Sequence, residues 1–317
     1  RSTQSTSSAA SDVYKRQVLK VGEQVTSVVP GNAVVPLVVP ECWECDECQS
    51  GRTNMCQALR DTQGRGVMPD GSSRLYHEQT PVKTCMGVSG FATHIVVPEI
   101  SVAKIPSGLP AAEMAVFCGP VVTGMGAVFN EADVKPRDSV AIFGAGPIGL
   151  GAVQACKIKQ AGSIIVVEPS ATKRALAQKL GATVVIDPNE LGDDLVSTLI
   201  NLSAGGVDYA IECAGASKAM AQAIECTRKC WGTTVLMGVA MDQLKVNSMH
   251  LLLGRQVKGS VFGGIHGRTE MGNYVQMYMD KQVSVSPLID EEVALSDVNR
   301  VMEQTRDINR IRSVITF

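Results

Sequence analysis

Aromatic residues and net charge are both scarce in this 317-residue chain. Aromatics make up 4% of the residues and the formal net charge is −2. A core must therefore be built mainly from aliphatic side chains. There is also no basic surplus of the kind that nucleic acid or an anionic membrane attracts. No apolar run approaches the roughly 20 residues that a membrane span needs. We expect neither nucleic acid nor a membrane as a partner.

A secretory signal is also missing from the start of the chain. Residues 1–17, RSTQSTSSAASDVYKRQ, are polar and rich in serine, without an apolar centre. This tract resembles translated sequencing-adaptor sequence, so we expect a non-native tail and a patterned protein from Val18 onward. The ten cysteines are too scattered, in too long a chain, for a small disulfide scaffold. We therefore expect a cytoplasmic protein.

Four of the cysteines lie together in the stretch ECWECDECQSGRTNMC, with the spacing C-x2-C-x2-C-x7-C: Cys42, Cys45, Cys48 and Cys56. Two-residue gaps let successive thiolates converge from one tight loop. A zinc ion with four thiolate ligands has no open position, so such a site is structural. An iron–sulfur cluster also uses four cysteines but has a shorter final gap followed by proline. A redox C-x-x-C pair needs only two thiols. The spacing favours structural zinc.

A glycine-rich turn follows a short apolar run later in the chain. The run Ser139–Phe143 predicts a buried strand, and G-x-G-x-x-G follows it at Gly144, Gly146 and Gly149. These glycines suit a tight turn, a close approach of pyrophosphate, and close helix–strand packing. A second apolar strand ends at Glu168, where a carboxylate would bind the adenosine ribose and repel a 2′-phosphate. The pattern predicts binding of NAD rather than NADP.

Strands and helices continue to alternate downstream of Glu168, which predicts a doubly wound parallel sheet of the Rossmann type. We interpret Cys156, Cys213, Cys226 and Cys230, and the apolar stripe SMHLLLG, as core packing. The four histidines show no metal-binding spacing, and we interpret them as structural or solvent-facing.

Together these motifs resemble the zinc-containing medium-chain alcohol dehydrogenases, from Val18 to the C-terminus. The loop sequences CQALRDTQGRGVMPDGSSR and ISVAKI are most similar to class III, the glutathione-dependent formaldehyde dehydrogenases. The resemblance implies a mainly β, GroES-like catalytic domain, incomplete at its N-terminus, beside the Rossmann domain. It implies domains at 18–119, 120–261 and a C-terminal return at 262–317. It also implies a homodimer, paired through the edge strand in RQVKGSVFGG.

The same resemblance assigns roles to individual residues. It implies that Lys173 binds the adenosine ribose, Arg312 the coenzyme pyrophosphate and Thr123 the nicotinamide. Arg60, four residues after Cys56, would bind a glutathione carboxylate. An exposed loop arginine without a role is the alternative.

Two departures from the family concern its catalytic zinc. The family's His-Glu ligand pair aligns with Asp12 and Val13, and its early cysteine and proton relay would precede residue 1, so we expect an N-terminally truncated chain. Relatives carry Gly-Cys where this chain has Cys118 and Gly119. An ungapped count places Gly119 at the late-ligand position. Cys118 is thus either a displaced ligand in an intact parent or a buried free cysteine.

The resemblance implies an NAD-dependent, zinc-dependent enzyme that oxidises S-(hydroxymethyl)glutathione. One alternative is a general primary-alcohol dehydrogenase of the same fold. Another, for the chain as it stands, is an inactive NAD-binding protein stabilised by structural zinc.

Overall fold

The structure is a computed structural model that describes residues 16–317. Most of the expected non-native tail, including Asp12 and Val13, therefore lies outside the described residues.

Strands and helices alternate through most of the described chain. In chain order the strands are β1 Arg16–Gln17, β2 Ala33–Pro36, β3 Leu75–His77, β4 Thr80–Val82, β5 Val102–Lys104, β6 Ser139–Phe143, β7 Ser163–Val167, β8 Val184–Ile186, β9 Tyr209–Glu212, β10 Thr233–Leu236, β11 Gln256–Gly259, β12 Glu291–Ala294 and β13 Ser313–Thr316. The α-helices are α1 Asp46–Gln49, α2 Gln57–Asp61, α3 Ala111–Val116, α4 Val122–Gly126, α5 Pro147–Ile158, α6 Ala171–Leu180, α7 Pro188–Leu191, α8 Leu195–Leu202, α9 Ser217–Glu225, α10 Ser248–Leu252, α11 Gly267–Met279 and α12 Val298–Gln304.

One compact unit comprises Pro120–Gly263 and Arg306–Ile311. Its sheet has six parallel strands in the order β11-β10-β9-β6-β7-β8. The strands β6 and β7 are apolar and buried almost throughout, as expected for parallel strands covered by helices on both faces. The strand order reverses between β6 and β9. In such sheets ligands bind beyond the carboxyl ends of the strands at this reversal. The predicted doubly wound fold is confirmed.

The second unit comprises residues 16–119, Gly264–Thr305 and Arg312–Phe317. It contains the antiparallel sheet β1-β2-β5, the β3–β4 hairpin and the parallel pair β12–β13. Val28, Val34 and Val102 form a small core in this unit. The cysteine-rich loop with α1 and α2 belongs to the same unit. We call residues 41–57, which contain all four clustered cysteines, the zinc lobe.

The helical segment Ala111–Glu131 corrects one expectation. It is long and apolar enough to cross a membrane by length and composition, with a mean hydropathy of 1.5, and 78% of its most apolar window is buried in the fold. The expectation that no apolar run approaches this length is therefore wrong. Such extensive burial is also what a core helix of a globular fold shows. Within the segment, Phe117–Val121 and Ala127–Glu131 are π-helical.

Two further packing expectations also differ from the structure. Cys156 and Cys226 are buried as expected, whereas Cys230 is exposed. The stripe SMHLLLG is not core: Met249 is 49% exposed and Leu252 is 76% exposed. Apolar periodicity identifies a helix face but does not say whether that face packs within the chain.

Candidate functional site

The four thiols of the zinc lobe converge on one point. All four Sγ atoms lie within 4.8 Å of one another, and those of Cys42 and Cys48 are 3.9 Å apart. In a tetrahedral zinc–thiolate centre with Zn–S bonds of about 2.3 Å, sulfurs are roughly 3.8 Å apart. The cluster therefore fits zinc in both donor type and size. With four thiolates around the ion, the site would stabilise the lobe and take no part in chemistry.

Backbone amides support these thiols. The N–H of Cys45 points at Cys42 Sγ at 3.4 Å, and the N–H of Gln57 points at Cys45 Sγ at 3.5 Å. Burial opposes ionisation of Cys45, but hydrogen bonds from Gln57, Cys48 and the neighbouring thiols outweigh burial and lower its pKa to about 7. Burial raises the pKa of Cys48 and Cys56. A divalent cation would favour the thiolate form of all four.

The glycine turn joins β6 to α5 at the reversal of strand order. Gly144 has φ +94°, a conformation that glycine adopts without strain. A Cβ at Gly149 would lie 1.9 Å from the carbonyl oxygen of Gly144, whereas one at Gly146 would meet no described protein atom within 4 Å. Packing therefore requires glycine at 149. Glycine at 146 instead suits the close approach of a ligand, as a pyrophosphate on a helix N-terminus would require.

Glu168 is buried directly beside this turn. Its Oε2 accepts a hydrogen bond from the Ala145 N–H at 2.7 Å, and its Oε1 accepts one from the Ser170 N–H at 2.9 Å. The carboxylate is thus held in one orientation by two loops. Since a carboxylate can accept about four hydrogen bonds, it retains acceptor capacity for ribose hydroxyls.

A second buried carboxylate, Glu212, ends the neighbouring strand β9. Its Oε1 accepts hydrogen bonds from the N–H groups of Ala214 and Gly215, both at 2.8 Å. Its Oε2 has no hydrogen-bond partner among the described residues. Burial raises the pKa of Glu212 although these backbone amides oppose the shift. Sequence reasoning missed this residue. The signal was an acidic residue at the end of an otherwise apolar strand, directly before a turn.

The other residues expected to contact the coenzyme lie on different elements. Lys173 is half-buried in the first turn of α6, where its N–H donates to the Ser170 side chain at 3.4 Å. Thr123 lies on α4, whose backbone packs against Gly263. Arg312 precedes β13 and is 9% exposed, and its N–H donates to Asp290 Oδ2 at 2.8 Å. Their roles toward a coenzyme stay predictions.

Arg60 lies at the last turn of α2, on the surface of the zinc lobe's unit. Its side chain is 71% exposed and pairs with Asp61 at 3.3 Å. An exposed ion pair of this kind contributes about 0–1 kcal/mol to stability. The ion pair with Asp61 therefore does not prevent Arg60 from binding another anion.

Cys118 is buried in the π-helical segment, with 2% of its surface exposed. Burial alone raises the pKa of its thiol. Among residues 16–317, the four lobe cysteines form the one group of three or more potential metal ligands, and Cys118 does not belong to it. A Cβ at Gly119 would meet no described protein atom within 4 Å. The described residues therefore do not by themselves form a catalytic zinc site.

Both parts of this arrangement match known protein families. Residues 17–107 match the alcohol dehydrogenase GroES-like domain, and residues 147–303 match the zinc-binding dehydrogenase domain. The fold and the cysteine cluster thus define a zinc-binding dehydrogenase. The chain belongs to the zinc-containing medium-chain alcohol dehydrogenases and resembles their class III members, as the motifs predicted.

Relatives and solved structures agree with this assignment. An S-(hydroxymethyl)glutathione dehydrogenase from Photobacterium damsela subsp. piscicida is 39% identical over 302 residues, which cover 95% of this chain and 82% of that protein. An alcohol dehydrogenase zinc-binding domain protein from Burkholderia ambifaria superposes with a TM-score of 0.86 at 28% identity, covering 95% of this chain and 81% of that one. A zinc-binding dehydrogenase from Sinorhizobium meliloti 1021, solved with NADP, gives a TM-score of 0.73 at 25% identity, covering 95% of this chain and 81% of that one.

The glycine turn generates a paired prediction. Gly149→Ala should lower the free energy of unfolding by about 2 kcal/mol because its Cβ overlaps the Gly144 carbonyl. Gly146→Ala should leave stability unchanged but weaken dinucleotide binding about tenfold, because its Cβ occupies the ligand's side of the turn. Thermal unfolding and calorimetric titration with NADH and NADPH measure the two effects. Equal effects of both substitutions on stability and on binding would contradict this division.

Proposed function

We propose that this alcohol dehydrogenase is NAD-linked and oxidises S-(hydroxymethyl)glutathione. The supporting observation is its 39% identity, over 95% of the chain, to proteins named for that reaction. In the reaction the hydroxymethyl carbon loses a hydride and its oxygen loses a proton, which leaves a thioester carbonyl. NAD takes the hydride, and solvent takes the proton.

The choice of NAD over NADP rests on Glu168. The carboxylate is 5% exposed and fixed by two backbone amides, so it would meet a 2′-phosphate with like charge and could not easily turn away. Arg174 does not offset this charge, since its guanidinium is bound to Asp187 and to the Glu168 and Pro169 carbonyls. The Sinorhizobium relative was solved with NADP, so the fold itself does not exclude that coenzyme.

The chain's own residues would bind and orient the reactants. The bound dinucleotide supplies the hydride acceptor. The turn at Gly144–Gly149 would hold its pyrophosphate through backbone N–H groups, with Arg312 as a cationic partner. Glu168 and Lys173 would hold the adenosine ribose, and Thr123 would contact the nicotinamide. Each role fixes the coenzyme, and such positioning lowers the entropic part of the barrier.

The described residues do not provide the ligand set of the family's catalytic zinc. The family's His-Glu pair aligns with positions outside the described residues, and Cys118 alone supplies one buried thiol. We therefore derive no step from that metal.

Arg60 is the residue that would distinguish the glutathione adduct from a simple alcohol. It is exposed, cationic and weakly paired, and a guanidinium can bind a carboxylate with two parallel hydrogen bonds. It would contact a part of the substrate remote from the reacting carbon. Its effect should therefore fall on KM rather than on kcat.

Arg60→Ala should reduce kcat/KM for the glutathione adduct about tenfold or more, the loss of a charge-assisted hydrogen bond, and leave simple primary alcohols unaffected. Steady-state NADH formation by the full-length enzyme measures both. Arg52→Ala, which removes an exposed arginine of the nearby zinc lobe, is the matched control. Equal losses on both substrates would favour a general primary-alcohol dehydrogenase instead.

An inactive, NAD-binding zinc protein is the second candidate. It is favoured by the single metal-ligand cluster found among residues 16–317. An active enzyme should carry two zinc ions per subunit in the full-length protein, of which Cys56→Ser should remove one. Metal analysis by mass spectrometry measures this. One zinc per subunit, together with NADH binding and no turnover, would establish the binding protein.

We also propose that the chain forms a homodimer through β11. This strand lies at one edge of the sheet, and all four of its residues are exposed. Val257 on the strand and Leu252 on the preceding α10 are 37% and 76% exposed. An unprotected edge strand beside exposed apolar side chains favours pairing with another strand.

Leu252→Glu should convert the dimer to a monomer, because it places a charge in the interface without disturbing the monomer's core. Sedimentation velocity at micromolar concentration measures the state. Leu202→Glu, at a 50% exposed position on α8, should leave the dimer intact. A monomeric wild type, or a Leu252→Glu variant that stays dimeric, would disprove this interface.

Two further expectations belong to the same proposal. The division into catalytic residues 18–119 and 262–317 and coenzyme-binding residues 120–261 is supported by unit boundaries at 119/120 and 263/264, although Arg306–Ile311 belongs to the coenzyme-binding unit. A reducing, cytoplasmic location is supported by ten free cysteines.

A further inference from the structure

The zinc lobe is attached to a distant helix through the residue just before its first cysteine. Glu41 is 2% exposed. Its Oε2 accepts hydrogen bonds from the N–H groups of Arg268 at 2.7 Å and Thr269 at 3.2 Å, and its Oε1 accepts one from the Thr269 hydroxyl at 2.9 Å. These amides belong to the first turn of α11. The residue before that helix, His266, makes no side-chain cap. Glu41 therefore caps a helix that begins more than 220 residues later.

The side chain of Arg268, on α11, also contacts the zinc lobe. One of its guanidinium nitrogens donates to the Glu41 carbonyl at 3.0 Å, and the guanidinium lies 4.0 Å from the ring centre of Trp43. Trp43 follows Cys42 and has φ +64°, a rare conformation for a bulky residue. The stacked guanidinium thus holds the strained backbone between two zinc-ligand cysteines.

The charge of Arg268 also suits the metal centre. One zinc ion with four thiolates carries a net charge of −2. Arg268 interacts electrostatically with Cys42 as well as with Glu41 and Glu99. Residues that touch the segments bearing metal ligands orient those ligands and tune metal affinity.

We propose that Glu41 and Arg268 form a latch that joins the zinc lobe to the N-terminus of α11. Arg268 acts as a positioning residue for the metal site, and zinc binding is thermodynamically linked to docking of the helix. Linkage is reciprocal: zinc stabilises the first turn of α11, and breaking the latch weakens zinc binding by the same factor. This inference concerns the lobe alone and does not depend on the substrate proposed above.

Zinc release from Arg268→Ala tests the latch. Transfer of zinc to a colorimetric chelator should be about tenfold faster than in the wild type, because the loss of metal affinity on removing a supporting residue, about tenfold, should appear in the dissociation rate. Cobalt substitution, read through thiolate charge-transfer absorbance, reports on the four-cysteine site specifically. Wild-type release rates from Arg268→Ala would overturn the proposal.

Two matched controls separate the latch from general loss of stability. Arg52→Ala removes an exposed lobe arginine. Tyr278→Phe removes the hydrogen bond at 2.9 Å between Tyr278 and Glu113 near the far end of α11. Both should release zinc at the wild-type rate. Release as fast from Tyr278→Phe as from Arg268→Ala would show that any loosening of the helix suffices, and would overturn the assignment to Arg268.

Hydrogen exchange provides a readout independent of mutation. Removing zinc from the wild type should speed exchange of the Arg268 and Thr269 amides, which donate hydrogen bonds to Glu41, more than exchange of later α11 amides. Unchanged exchange would overturn the linkage.

If Arg268→Ala does not fold, Arg268→Lys keeps the charge but loses the planar stacking, and should release zinc at an intermediate rate. A wild-type rate for the lysine variant would overturn the role of the guanidinium.

Discussion

The coenzyme-binding half depends on one close contact, the approach of α5 to the turn after β6. Gly149 brings that helix against the carbonyl of Gly144 with no room for a methyl group, and Gly124 and Gly151 leave equally little space between α4 and α5. These contacts hold the start of α5 at the carboxyl ends of the strands, where the sheet reverses order. A helix N-terminus elsewhere could bind an anion. Here the N-terminus also lies beside Glu168, which follows the neighbouring strand β7 and accepts a hydrogen bond from the Ala145 N–H.

Two buried carboxylates organise the loops on either side of this turn. Glu168, after β7, accepts from Ala145 within the turn, and Glu212, at the end of β9, accepts from the first amides of its own loop. Charge burial is costly unless hydrogen bonds compensate it, and backbone amides provide that compensation at both sites. Glu168 is therefore held in one orientation by its two amide hydrogen bonds, so a ligand that bound there would meet a fixed carboxylate. Rigidity before binding reduces the entropy lost on binding.

How far the sequence could predict these features depended on how local their causes were. The cysteine spacing and the glycine turn are short-range patterns with one physical solution, and both the sheet type and the sulfur cluster followed from them. Glu41 and Arg268 were missed because they lie more than 220 residues apart, and no local pattern links a capping carboxylate to so distant a helix. The prediction that the stripe around Leu252 belongs to the core was wrong for another reason. Apolar periodicity is the same whether a helix face packs within its own chain or against a second chain.

The position of Cys118 shows where residue counting itself fails. An ungapped count assumes that each residue turns the helix by the same angle, but Phe117–Val121 is π-helical and contains Pro120. Proline cannot donate to the preceding turn and clashes with it, and a π-helical segment relieves this by widening the helix. Side chains on either side of such a segment face differently from those of a regular helix. Here Cys118 faces the apolar interior, while the Cβ direction at Gly119 is clear of described protein atoms. The thiol of Cys118 is buried in this geometry, and its role as a metal ligand stays a prediction.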